Sequence, residues 1–205
     1  MTTISARILK SRLTTTITTT DPVGNGRITR PFLYAALLLM TSGCQMDRVS
    51  ALRQQLAAQP SATAVLDQRC IALTGGRIQK IHAVRMSASD APHVQDLEQR
   101  LGLSAGECVR VRHVSLNCEN IVLSNAWNWY VPVRLTSSMN AVLENSDIPF
   151  GRAVHELGFR REPLHTQEKD LPPGVVFRNR GVLRRGGDDA PIAFVIEDYT
   201  AAALP

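Results

Sequence analysis

Two ionisable residues sit inside runs that are otherwise apolar. Arg112 lies within Val111-Arg112-His113-Val114-Ser115-Leu116, and Glu197 closes Ala193-Phe194-Val195-Ile196-Glu197. Runs so rich in Val, Ile and Leu are strand material whose side chains are mostly buried. A charge facing inward from such a strand needs a counter-charge or a ligand. A guanidinium suits a carboxylate, because its planar fork forms two parallel charge-assisted hydrogen bonds. A carboxyl group beside Val195 and Ile196 is expected to have a raised pKa, which fits a general acid or a contact to a hydroxyl. The two residues therefore read either as a small polar pocket for a carboxylated ligand or as an ion pair within a sheet. His113 follows Arg112 on the strand, so it faces the other way and reads as structural. Trp127, Trp129 and Tyr130 read as core and rim packing, and Arg160-Arg161 and Arg184-Arg185 as solvated surface.

The elements that must position Arg112 and Glu197 follow from periodicity and punctuation. Val49, Leu52 and Leu56 predict a helix over 47–57, closed by Pro60. Ser61 is placed to cap a second helix, with Val65 and Leu66 inward and Cys70 at its end. The stretch 71–86 reads as strand-like with a turn at Gly75-Gly76, and 91–101 as a helix presenting Val94, Leu97 and Leu101. Strands are expected over 108–116 and 121–131, with the alternation breaking near Arg112-His113 as at a bulge. Thr136 caps a helix to about Glu144, Phe150-Gly151 opens a short helical stretch ending at Gly158, and 159–165 is extended. Leu171-Pro172-Pro173-Gly174 is a rigid turn, and 175–183 with 192–200 forms a hairpin around Arg185-Gly186-Gly187-Asp188. Strands flanked by helices give an α+β fold with a single antiparallel sheet, as one domain over 45–205.

A chain of 205 residues holds one well-buried core rather than two. The formal charge of +5 is carried mainly by residues 1–44, which hold Arg7, Lys10, Arg12, Arg27 and Arg30 against Asp21, leaving +1 for the rest. A domain that near to neutral, without a basic run, lacks the footprint of a nucleic-acid binder.

Residues 1–44 read as an export signal or presequence. Arg27 and Arg30 precede the apolar run Phe32 to Met40, then Thr41-Ser42-Gly43 and Cys44. The run is shorter than the roughly 20 residues of a permanent membrane span. Gly43-Cys44 resembles a bacterial lipoprotein lipobox, in which the cysteine becomes the lipidated first residue of the mature chain. Thr41 departs from it, standing where an aliphatic residue is usual. Ordinary signal cleavage or a buried apolar helix are the alternatives. The expected location is periplasmic or membrane-anchored, with the membrane touched only through that lipid, and cytoplasmic if the segment is no working signal. Apart from Cys44, Cys70, Cys108 and Cys118 allow one disulfide, with Cys70 to Cys118 the preferred pairing, or three buried thiols. Scattered histidines and the lack of Cys-x-x-Cys spacing argue against a metal site.

Four motifs in order resemble the chorismate pyruvate-lyase family, whose fold is shared with the UTRA ligand-binding domains of transcriptional regulators. They are Ser61-Ala62-Thr63-Ala64-Val65-Leu66, the Arg112 strand, Val131-Pro132 with Pro149-Phe150-Gly151-Arg152, and Arg178-Asn179-Arg180 with Pro191 to Glu197. The chain is also similar to a group of exported proteobacterial proteins of unassigned function, through Ser61 to Ala64 and the block Leu123 to Leu135. Ala62 and Phe150 replace the residues usual in the lyase, and the aromatic block around Trp127 is not a lyase feature. The resemblance implies a pocket in which Arg112 and Glu197 are catalytic, while Arg112, Ala62, Phe150 and Glu197 contact the substrate. The reaction implied is loss of pyruvate from chorismate to leave 4-hydroxybenzoate, with no cofactor. The alternative on the same scaffold is an exported, non-catalytic module for a small aromatic or carboxylated ligand. A monomer is expected in either case.

Overall fold

The computed structural model describes residues 45–205. Residues 1–44, expected to be an export signal or presequence, and with them Cys44, lie outside the described residues. Six strands form one sheet: β1 (His82–Arg85), β2 (Arg110–Cys118), β3 (Ile121–Tyr130), β4 (Arg160–Gln167), β5 (Val175–Arg184) and β6 (Pro191–Thr200). Their spatial order is β1-β2-β3-β6-β5-β4, and each neighbouring pair is antiparallel. The β5–β6 hairpin folds back so that β6 pairs with β3 on one side and β5 on the other. The helices are α1 (45–57), α2 (Ala62–Leu73), α3 (Leu97–Leu101), α4 (Ser137–Asn145) and α5 (Phe150–Ala153).

Because strand side chains alternate, the sheet has two buried faces with different covers. On one face Val114, Leu116, Ala126, Phe177 and Tyr199 join Leu52, Leu56, Leu66 and Cys70 of α1 and α2. Further along the same face, Tyr130, Leu183, Ala193 and Val195 pack with Met139 and Leu143 of α4 and with Phe150. The opposite face carries Trp127, Trp129, Val182, Phe194 and Ile196 under the 91–103 segment, with Leu101 fully buried.

Several elements differ from the sequence reading. The stretch 71–86 yields only four residues of strand, because α2 continues to Leu73 and unwinds at Gly75 and Gly76, both with positive φ. The helix expected over 91–101 shrinks to Leu97–Leu101: Asp96 takes a left-handed φ of 55° and blocks any extension toward its N-terminus. No bulge falls at Arg112-His113; the β2–β3 register runs unbroken from Arg110 opposite Tyr130 to Leu116 opposite Ser124 and shifts only between Leu116 and Asn117. Thr136 caps α4 through its hydroxyl, which accepts from the Met139 amide at 3.2 Å. Ser61 holds the N-cap position of α2 but makes no side-chain cap bond. Cys70, in the last turn of α2, is joined to Cys118 at the end of β2, with the Cα atoms 5.3 Å apart. Cys108 is an exposed free thiol.

Candidate functional site

Between the two apolar clusters of the helix-covered face lies a narrow polar band. It encloses a cavity of about 30 Å³, room for a water molecule or two. Val114 and Leu116 of β2, Ala126 and Asn128 of β3, and Val195 and Glu197 of β6 form its floor. Ser61, Ala62 and Thr63 at the start of α2 and Pro149, Phe150 and Gly151 at the start of α5 form its roof. The roof is tight because of Gly151: a Cβ there would stand 2.6 Å from the Ser61 hydroxyl oxygen and 3.0 Å from that of Thr63. Ala62, Phe150 and Glu197 thus converge, whereas Arg112 does not line the cavity.

Glu197 is 6% exposed, and its partner is Arg161, not Arg112. Arg161 donates from Nη1 to Oε2 at 2.6 Å and from Nη2 to Oε1 at 2.9 Å, and the Tyr199 hydroxyl adds a third donor to Oε2 at 2.9 Å. Burial alone would lower the Arg161 pKa, but the charge and hydrogen bonds of Glu197 outweigh it and raise the pKa. Burial first, then the Glu197 charge, pushes the Tyr199 phenol well above its usual value. Two sequence expectations are corrected here. Arg161 is not solvated surface, and Glu197 is no free general acid: its two oxygens already accept three donors. The sequence misleads at Arg161 because β4 is an edge strand with mostly exposed neighbours, yet this side chain reaches across β5 to β6. Its path crosses Gly181, where a Cβ would lie 3.6 Å from Arg161 Cγ and 2.9 Å from the Glu162 carbonyl oxygen. Glycine within a strand signals close approach, and that was the available clue.

Arg112 is 3% exposed and shares the face of Val114 and Leu116. Its guanidinium turns to the C-terminal end of α4, donating from Nε to the Leu143 carbonyl at 3.1 Å and from Nη2 to those of Ser146 and Ile148 at 3.4 and 3.0 Å. Arg85 donates there as well, to Leu143 and Glu144 at 2.9 and 2.7 Å. A helix C-terminus welcomes cations, which accounts for the cluster. No carboxylate of the described residues pairs with Arg112, and its Nη1 is buried without a partner. Burial, then repulsion from Arg85, lowers its pKa to about 10. Directly across the strands stands Asn128, 4% exposed, lining the cavity with an Oδ1 that also has no partner. Asn128 is the residue that sequence reading passed over, since a polar residue between two tryptophans carries no motif.

Beyond the cavity, Arg161 also borders an open cleft of about 350 Å³ beside α1, lined by Arg53, Gln54, Thr166, Asn179 and Arg180. Its side chain therefore borders both the cavity and this cleft. His113 faces away from Arg112, stacks on Trp127 with ring centroids 4.3 Å apart, and contacts the Ser87 carbonyl through Nδ1 at 2.5 Å. Arg160, Arg184 and Arg185 pair with Asp189, Glu162 and Asp188. Among the described residues, no group of three His, Cys, Asp or Glu is placed to hold a metal, and no helix is long and apolar enough to cross a membrane.

These features define a class: an α+β domain with the chorismate lyase-like fold, as in UTRA domains. The fold matches PhnF from Mycobacterium smegmatis with a TM-score of 0.50 at 14% identity, over 72% of this chain and 66% of that one, so the chain spans just under two thirds of that protein's length. A GntR-family transcriptional regulator from Bacillus cereus aligns with a TM-score of 0.39 at 14% identity, over 61% of this chain and 94% of that one. No family model matches the sequence. The uncharacterized protein y4mC of Sinorhizobium fredii is 32% identical over 193 residues, covering 79% of this chain and 80% of that protein. The chain belongs to the same family as y4mC.

Proposed function

We propose that the protein is a binding module for a small carboxylated molecule, held at the polar band between its two apolar clusters. The observation that carries this reading is Arg112: a buried guanidinium with no carboxylate partner and one unsatisfied Nη1. A buried charge left in that state is costly unless an anion completes it. Arg112 does not line the cavity, but the loop that it holds through Ser146 and Ile148 leads directly into Pro149 and Phe150 of the cavity roof. A cavity of about 30 Å³ admits no aromatic acid as it stands. Binding therefore requires the roof or the Arg161 side to open. The apolar walls of Val114, Leu116, Phe150 and Val195 favour a ring over a polar chain.

Binding is favoured over pyruvate elimination because Glu197, which a lyase would need free, is held by Arg161 and Tyr199. We further propose that the domain works outside the cytoplasm, tethered through Cys44; the Cys70–Cys118 bond suits an oxidising compartment. Titration of the full chain with 4-hydroxybenzoate, followed by calorimetry, tests the binding reading. Saturable binding is expected, weakened about tenfold or more in Arg112→Ala through loss of a charge-assisted contact. Absence of binding by the folded wild type overturns it. Pyruvate released from chorismate above the spontaneous rate would replace binding with turnover. The intact mass of the membrane fraction, compared with Cys44→Ser, tests the tether.

A further inference from the structure

Strand β5 presents three arginines on the sheet face opposite the cavity: Arg178, Arg180 and Arg184. The outer two are neutralised across the strands. Arg178 forks onto Asp198 of β6, with Nη2 to Oδ2 at 2.7 Å, and Arg184 pairs with Glu162 of β4. Arg180 has no such partner. Its cross-strand neighbours are Ile196 and His165, and its Nε is buried without a hydrogen bond. Where the pattern calls for a carboxylate, the structure has a cleft of about 430 Å³.

The cleft exists because the 91–103 segment covers only part of this face, packing over Trp127, Trp129, Phe194 and Ile196 and leaving β4 and β5 bare beyond. One wall is the edge of that cover, His93, Gln95 and Arg100; the other is His165 and Arg180, with Phe194 and Ile196 as the apolar floor. Arg100 projects from α3 and donates only to the Gln95 carbonyl, at 3.2 Å, with no acidic partner among the described residues. Two unpaired guanidiniums and two imidazoles therefore converge on one cleft in which no carboxylate is a lining residue. Opposite-strand side chains stand about 5 Å apart, so His165 and Arg180 can grip one anionic group together.

We infer that this cleft is a second ligand site, independent of the cavity beside Glu197, for a small organic anion whose carboxylate or phosphate lies between Arg180, Arg100 and His165. Its apolar body rests on Phe194 and Ile196. The guanidinium fork is the recognition element, and the bare floor excludes fully hydrated inorganic ions in favour of anions with an apolar part.

Imidazole signals in nitrogen-correlated NMR spectra of the full chain, titrated with phenyl phosphate and with benzoate, test this assignment. Either probe is expected to shift the His165 signal saturably, with His113, buried under Trp127, unmoved. Inorganic phosphate is expected to bind more weakly than phenyl phosphate. Arg180→Ala should weaken the response about tenfold or more. Arg180 also borders the cleft beside α1, so Arg100→Ala, exposed and on this face only, is the second variant and should weaken it as well. Arg112→Ala should leave it unchanged, which separates this site from the cavity. Unshifted histidines with both probes, or a response insensitive to Arg100→Ala, overturn the assignment.

Discussion

Arg161 of β4 and Glu197 of β6 meet in a two-fold hydrogen-bonded pair although the whole of β5 runs between their strands. Gly181 of β5 lies at the crossing point: a Cβ there would touch Arg161 Cγ at an ordinary 3.6 Å but would collide with the Glu162 carbonyl at 2.9 Å. The missing side chain thus lets the β4 and β5 backbones approach closely where the pair crosses. Arg161 and Tyr199 together occupy both oxygens of Glu197.

Gly181→Ala is expected to destabilise the fold by about 1–3 kcal/mol, the usual cost of forcing a methyl group into filled space. The collision is with backbone, which cannot swing aside. A shift of the urea midpoint without change of slope would register it. A midpoint equal to that of the wild type would show that β4 moves freely from β5 and that the crossing is not constrained.

Removing one member of the Arg161–Glu197 pair leaves a buried charge uncompensated. Glu197→Gln should therefore cost about 3–5 kcal/mol, whereas the double change with Arg161→Met should cost markedly less than the sum of the two single ones. Chemical denaturation of the four proteins measures the coupling. Strict additivity would mean that the two groups do not stabilise each other in solution.

How much of this was legible in the sequence depends on which interactions were local. The six strands and the α4 cap were readable, because apolar runs bounded by turn residues and a Thr three residues before a helical amide are local patterns. Ala62, Phe150 and Glu197 line one cavity. The partner of Glu197 was not readable, since the relevant fact is that β6 lies two strands from β4. Only pairing of distant segments makes Gly181 a crossing point. Arg112 illustrates the other limit: its apolar setting correctly implied burial, but its three carbonyl acceptors come from the α4 C-terminus and the loop after it, more than 30 positions away. The helix α3 is shorter than the spacing predicts because apolar spacing over 94–101 also suits an irregular segment packed against a sheet.

Glu107 gives a pH-dependent readout of how the 91–107 segment is held. Hydrogen bonding from Arg134, then from the Ser104 amide, lowers its pKa from 4.5 to about 2. Arg134 donates Nε to Glu107 Oε1 at 2.8 Å and also binds the carbonyls of Leu101 and Pro191, both at 2.6 Å. A carboxyl group whose folded pKa is depressed binds fewer protons folded than unfolded, so its contribution is present above about pH 4.5 and lost as pH falls toward 2. The stability difference between wild type and Glu107→Gln should be constant near neutrality and shrink through that acid window. A difference that grew on acidification would reverse the sign and refute the assignment.

The Cys70–Cys118 bond closes a loop with a sequence separation of 48, joining the last turn of α2 to the end of β2. Both residues are fully buried in the cluster formed by α1, α2 and the sheet, so the cross-link lies inside the element that carries Ser61 to Thr63 over the cavity. Loop-closure entropy for that separation predicts a loss of about 4 kcal/mol on reduction, an upper figure if the reduced chain keeps residual structure. The paired variant Cys70→Ala with Cys118→Ala should lose at least that much, because it also vacates buried volume. The effect on ligand affinity is expected to be larger than for a remote bond, since loosening α2 frees the roof of the cavity. Denaturation with and without a reducing agent, alongside titration of 4-hydroxybenzoate under both conditions, separates the two effects. Equal stability in both conditions would mean that packing of Leu52, Leu66 and Tyr199 holds α2 in place without the bond.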